Sequence, residues 1–169
     1  VLFRSGVETL NAWVDNLMQR LLNLNGTVRK PWYVGRPVMV TQNDYRQNLF
    51  NGDIGITLPD HKGDLRVWFP AEESGQYRAV PPIRLPQHET AWAMTIHKSQ
   101  GSEFAEVWLL PPLGALEAAE DYHRALLYTA ITRAKQCFVY WGDVSSLQAA
   151  SARHVQRLTV LGHLLQHEH

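Results

Sequence analysis

Two short stretches hold residue types whose spacing could do chemistry. Ala91 to Phe104 reads AWAMTIHKSQGSEF, an apolar run followed by His97-Lys98-Ser99-Gln100 and then Gly101-Ser102-Glu103. Four consecutive polar side chains offer donors for backbone phosphates or a ribose. Leu127 to Lys135 reads LYTAITRAK and places Arg133 and Lys135 just before the apolar run Cys137 to Trp141. A guanidinium is planar, always charged and forked, which suits phosphoryl oxygens, and an added Arg can stabilise charge that develops during phosphoryl transfer. Taken singly, a solvated loop and a surface salt bridge explain these stretches as well.

Other chemistries find less support. The chain has no G-x-x-x-x-G-K-[ST] phosphate loop. It has no apolar strand ending in an Asp-Glu pair that would hold Mg²⁺; Glu120-Asp121 stands where a helix is expected to start, an ordinary place for carboxylates. His163 and His167 are four apart without a third ligand, which reads as a tail rather than a zinc site. No Ser-His-Asp or Cys-His arrangement can be drawn from spacing.

The two stretches need elements to position them. Ala91–Ile96 is expected to be a buried strand that presents the polar tip at its carboxyl end, as α/β sheets do. Val107 to Leu110 is a second apolar run. Asp121 to Gln136 is expected to be a helix, with Leu126, Leu127, Ala130 and Ile131 on its buried face, followed by a strand from Phe138 to Trp141. Ser145–Ala152 and Val155–Gln166 read as helical, and Leu113–Glu120 as loop and short helix. Upstream, Ser5 to Asn23 reads as an amphipathic helix, with Ser5 and Glu8 at capping-box spacing. Its apolar stripe is Leu10, Trp13, Val14, Leu17, Met18 and Leu21.

Between them the pattern changes. After a linker at Val28–Trp32, no helical period runs from Gly35 to about His88. Strands are expected at Arg36–Thr41, Asp53–Leu58, Leu65–Phe69 and Tyr77–Val80. They are separated by turns at Asn43-Asp44, Asn51-Gly52-Asp53, Lys62-Gly63-Asp64 and Glu73-Ser74-Gly75. Short strands at this spacing suggest a small SH3-like barrel. Trp32, Tyr33, Trp68 and Tyr77 could stack on bases or fill its core.

Composition sets bounds. The 169 residues carry 16 Lys+Arg and 16 Asp+Glu, so any phosphate contact must come from a local patch. The 45% apolar content allows a sizeable core. One cysteine, Cys137, excludes an intrachain disulfide; a place in an apolar strand makes it an expected core residue in a reducing, cytoplasmic setting. No apolar run approaches the roughly 20 residues of a membrane span. The chain starts without Met inside a strand-like Val1-Leu2-Phe3, which suggests a piece of something longer.

In this order, TIHKSQGSEF and YTAITRAK resemble motifs V and VI of superfamily 1 DNA helicases, and most of all their RecD branch, the alpha subunit of exodeoxyribonuclease V. GRPVMVTQND and LFNGDIGIT resemble the lead into that branch's SH3-like insertion. The resemblance covers about residues 31 to 142. It implies an α/β fold: a second RecA-like motor lobe, P-loop NTPase-like but without the P-loop, carrying an inserted SH3-like barrel. Residues 1–30 would start the lobe, 31–89 form the barrel, and 90–169 complete the lobe. By match to motif VI, Arg133 is the implied arginine finger, with Thr132 and Lys135 beside it. By match to motif V, Thr95, His97, Lys98 and Ser99 lie near DNA, and Gln100, Gly101 and Glu103 face the nucleotide. Phe3-Arg4-Ser5-Gly6 departs from the family's Arg-Gly-rich turn, so the resemblance gives Arg4 no firm role on phosphates.

The implied parent is an ATP- and Mg²⁺-dependent 5′-to-3′ translocase on single-stranded DNA, with an N-terminal motor lobe and RecB-like and RecC-like subunits as partners. This segment alone would be inactive. A helicase domain of a conjugative relaxase is the alternative within enzymes, and a non-catalytic SH3-like binding module the alternative outside them.

Overall fold

The computed structural model describes residues 4–22, 30–71, 75–111 and 122–153. The chain divides into two compact units, 1–99 and 100–169.

The first unit opens with α1, Arg4–Leu21, and continues as a five-stranded antiparallel sheet. Its strands are β1 (Pro37–Val40), β2 (Ile54–Pro59), β3 (Leu65–Pro70), β4 (Tyr77–Val80) and β5 (His88–Thr90). The first four fall within a residue or two of the expected spans. Their alternation puts Val38, Val40, Val67, Phe69 and Val80 on one face, where they bury with Leu49 and receive Trp32 and Leu85. The turns do what their residues allow. Gly52 and Gly63 take φ of 98° and 86°, left-handed values that a Cβ disfavours.

The order is β4-β3-β2-β1-β5, with a 3₁₀ turn at Pro82–Arg84 between β4 and β5. β4 and β5 are the two edges, and no strand pairing among the described residues closes the sheet into the expected barrel.

Ala91–Ile96 is not a strand. The strand that precedes the polar tip is β5, which ends at Thr90, immediately before Ala91, and pairs antiparallel with β1 through Val38–Thr90, Met39–Glu89 and Val40–His88. Ala91–Ile96 follows it as half-buried irregular chain, apart from Ile96, which is buried. An apolar run signals burial, and here burial is met without a strand partner. The polar tip is therefore a 3₁₀ turn, His97–Ser99, rather than the end of a strand.

The α1 stripe is also rotated from expectation. Val7, Asn11 and Gln19 are buried and Leu10, Val14 and Met18 half-buried, whereas Trp13 (61%), Leu17 and Leu21 (67%) are exposed. The inward positions Asn11, Asp15 and Gln19 are polar at spacing four, one helical face. Apolar periodicity could not find that face because its partners come from distant sequence. Ser5 lies within α1 and is not its cap.

In the second unit, β6 (Phe104–Leu109) and β7 (Ala134–Tyr140) pair in parallel, joined through α2 (Arg124–Ile131) and followed by α3 (Val144–Ala152). His123 caps α2 by accepting from Leu126 N at 3.3 Å, and Asp143 caps α3 by accepting from Ser146 N at 2.7 Å. The helix expected to run to Gln136 stops at Ile131, with Thr132 at its C-cap. Parallel pairing takes over there: Phe104 N donates to Arg133 O at 2.8 Å, and Ala134 begins β7. Cys137 is exposed, not core. Leu113–Glu120, Asp121, Val155–Gln166, His163, His167, Glu73-Ser74, Val1-Leu2-Phe3 and, of the expected linker, Val28 and Arg29 lie outside the described residues. No described helix is long and apolar enough to cross a membrane.

Candidate functional site

The polar tip of the first unit is a self-bonded turn. Ser99 is buried; its hydroxyl donates to Ile96 O at 2.7 Å, and its N–H reaches the carbonyls of Thr95 and Ile96. Thr95 Oγ1 accepts from Lys98 N at 3.3 Å. Thr95 and Ser99 thus shape the turn, while His97 and Lys98 stand exposed on it. Lys98 Nζ already has a partner: it donates to both oxygens of Glu89, on β5, at 2.6 and 2.7 Å. Sequence reading missed Glu89.

Behind the tip lies α1. Asn11 exchanges two hydrogen bonds with the backbone of Ala93: its Nδ2 donates to Ala93 O at 2.9 Å, and Ala93 N donates to its Oδ1 at 2.8 Å. One and two turns on, Asp15 accepts from the Tyr33 hydroxyl and from Gln19 Nε2. Burial, then the facing Asp15 carboxylate, pushes the Tyr33 hydroxyl up to about 12. Tyr33 is a buried structural group and has no ring face to give a base. Trp32 is half-buried and carries the Arg36 guanidinium 4.7 Å from its ring centroid. Trp68 donates its indole N–H to Leu58 O at 3.2 Å, and Tyr77 is exposed.

In the second unit, Arg133 occupies the turn between α2 and β7. Its Nη1 donates to Ser102 O at 3.2 Å and its Nη2 to Thr132 Oγ1 at 3.3 Å. Its Nε is buried without a partner. The side chain is half-buried and turned toward Ser102 rather than extended outward. Among the described residues, no carboxylate pairs with it. The neighbouring charges pair with each other instead: Lys135 Nζ lies 3.0 Å from Glu103 Oε2, with both groups well exposed. Gln100 and Gly101 are exposed, and Gly101 takes φ of 85°, the left-handed value that the turn demands. The structure thus brings Arg133 together with Ser102, and Lys135 with Glu103.

The Arg133 guanidinium, always charged, thus meets two neutral oxygens while its Nε–H is buried without a partner among the described residues. Among the described residues no group of His, Cys, Asp or Glu is gathered to hold a metal ion.

Residues 90–139 match the family described as UvrD-like helicase C-terminal domain. That span contains both candidate stretches. The chain is 37% identical over 161 residues to the RecBCD enzyme subunit RecD of Haemophilus influenzae, covering 95% of this chain and 23% of that protein. It is 45% identical over 136 residues to the RecBCD enzyme subunit RecD of Mycobacterium tuberculosis, 80% of this chain and 23% of that one. It is 36% identical over 121 residues to the ATP-dependent RecD2 DNA helicase of Deinococcus radiodurans, 70% of this chain and 16% of the relative. The chain thus spans less than a quarter of the length of these relatives. A Pif1 helicase from Bacteroides, crystallised with ADP-AlF3 and ssDNA, superposes with a TM-score of 0.57 at 19% identity, over 90% of this chain and 41% of that one. That likeness speaks to the fold, a mixed α/β helicase fold.

Proposed function

Starting from a chain that is RecD-like in sequence over most of its length, we propose that it forms much of the second motor lobe of an ATP-dependent 5′-to-3′ DNA helicase of the RecD type. The whole protein would act in recombination and repair in the cytoplasm, with RecB-like and RecC-like subunits. A first lobe would supply the phosphate loop and the Mg²⁺ ligands. Residues 1–30 and 90–169 belong to the lobe in this reading, and 31–89 to an SH3-like insertion. The strand order β4-β3-β2-β1-β5 and the 3₁₀ turn before β5 support the insertion.

The observation that carries the reading is Arg133. It stands inside the span that matches the helicase family, just after α2, held among the described residues by two neutral oxygens and with a buried N–H that none of them meets. ATP supplies the γ-phosphoryl group, and the forked guanidinium would stabilise charge that develops on it. Ser102 O and Thr132 Oγ1 would hold the fork until that demand arises. Gln100, Gly101 and Glu103 would line the nucleotide side. His97 and Lys98 would meet the DNA backbone, with Thr95 and Ser99 holding the turn that presents them.

The test uses the full-length protein that contains this segment. Arg133→Ala should lower DNA-stimulated ATP turnover on the order of 10³-fold or more. ATP affinity should change far less. Wild-type turnover in that variant would remove the finger. Absence of DNA-stimulated hydrolysis in the parent would leave the binding-module reading in its place.

A further inference from the structure

We infer that Asn11 is a positioning residue for the polar tip: its amide fixes the backbone of Ala93 and thereby the turn that presents His97 and Lys98. This inference rests on the helicase reading above for what the tip contacts.

The argument begins with an accounting of backbone groups. Ala91–Ile96 lies in no strand, so its half-buried peptides lack ladder partners. The segment is tethered at its start, where Ala91 N donates to Pro37 O at 3.1 Å. Its next tether is Asn11, which meets the N–H and the C=O of Ala93 together, at 2.8 and 2.9 Å. A neighbouring strand would offer the same two groups; here one side chain offers them. Only an amide carries an adjacent donor and acceptor in one plane, so Asp loses the donor and Leu or Ala loses both.

From Ala93 it is two residues to Thr95. Thr95 supplies both the carbonyl that Ser99 N reaches and the Oγ1 that Lys98 N reaches. Ser99 closes the turn on Ile96 O. Release of Ala93 therefore loosens the two residues that build the turn. The core cluster that runs from Val38 to Val80 includes no α1 residue. The loosening is expected to be local rather than a collapse of the unit.

The experiment measures DNA-stimulated ATPase in the full-length protein for wild type, Asn11→Ala, Asn11→Leu and Gln19→Leu. Leu refills the volume of Asn without its bonds. Gln19→Leu removes the neighbouring bond to Asp15, a perturbation of the same helix face two turns from Asn11. Both Asn11 variants should raise the single-stranded DNA concentration for half-maximal stimulation about tenfold, while the KM for ATP moves less than twofold. Gln19→Leu should leave the DNA half-saturation unmoved, whatever it does to the melting temperature. If the Asn11 variants lower only the melting temperature, or if Gln19→Leu shifts DNA half-saturation equally, Asn11 is a structural residue and the inference falls. If Asn11→Ala fails to fold, Asn11→Leu decides on the same readout. A parent with no DNA-stimulated ATPase sinks the helicase reading itself, and this inference with it.

Discussion

Glu89→Gln should tighten single-stranded DNA binding, because Lys98 must leave Glu89 before it can meet a phosphate. The two donor distances, 2.6 and 2.7 Å, describe a close pair, yet the side chains are 43% and 35% exposed. Solvent screens such a pair to about 0.2–1 kcal/mol. At 1.4 kcal/mol per tenfold, removing that competition makes binding about 1.4- to 5-fold tighter. Gln keeps the length and loses the charge, so the turn itself is spared. A released Lys98 adds up to one phosphate contact, which should steepen the slope of log K against log salt by up to about 0.7 for a single strand. Lys98→Ala should weaken binding. The assay is fluorescence anisotropy of a labelled oligothymidine with the full-length protein across a salt series. If Glu89→Gln leaves or weakens affinity and Lys98→Ala changes neither affinity nor slope, Lys98 does not face DNA.

Gly55→Ala should destabilise this chain by about 1–3 kcal/mol, because its new Cβ would fall 2.7 Å from Val67 Cγ1 and 2.8 Å from the Phe69 ring, both fully buried. Urea denaturation checks it, and a loss under about 0.5 kcal/mol would mean that β2 shifts freely. Tyr33 gives an alkaline limit: its hydroxyl is raised from 10.0 to about 12 in the fold, so its contribution is complete below pH 10 and drains away as pH rises from 10 to 12. Wild type should lose stability over that window, and Tyr33→Phe should lose less; equal losses would refute the assignment.

Local chemistry made part of this protein legible from its amino acids. The strands from Pro37 to Val80 were visible because Gly, Asn and Asp mark their turns and apolar residues alternate between them. The order of the two stretches TIHKSQGSEF and YTAITRAK was visible because each is contiguous in the chain. What tertiary structure decided were the partners that sequence separates. Ala91–Ile96 looks like a strand by apolarity, but a strand needs a neighbour, and its Ala93 found the Asn11 side chain 82 residues away. The inward face of α1 is polar because Asp15 meets Tyr33 and Asn11 meets Ala93, so Trp13, Leu17 and Leu21 are exposed. Arg133 sits on a turn rather than in the helix because Phe104 N claims its carbonyl for the parallel pair. Periodicity reports how far a side chain avoids water; a hydrogen bond between distant residues leaves no period to read.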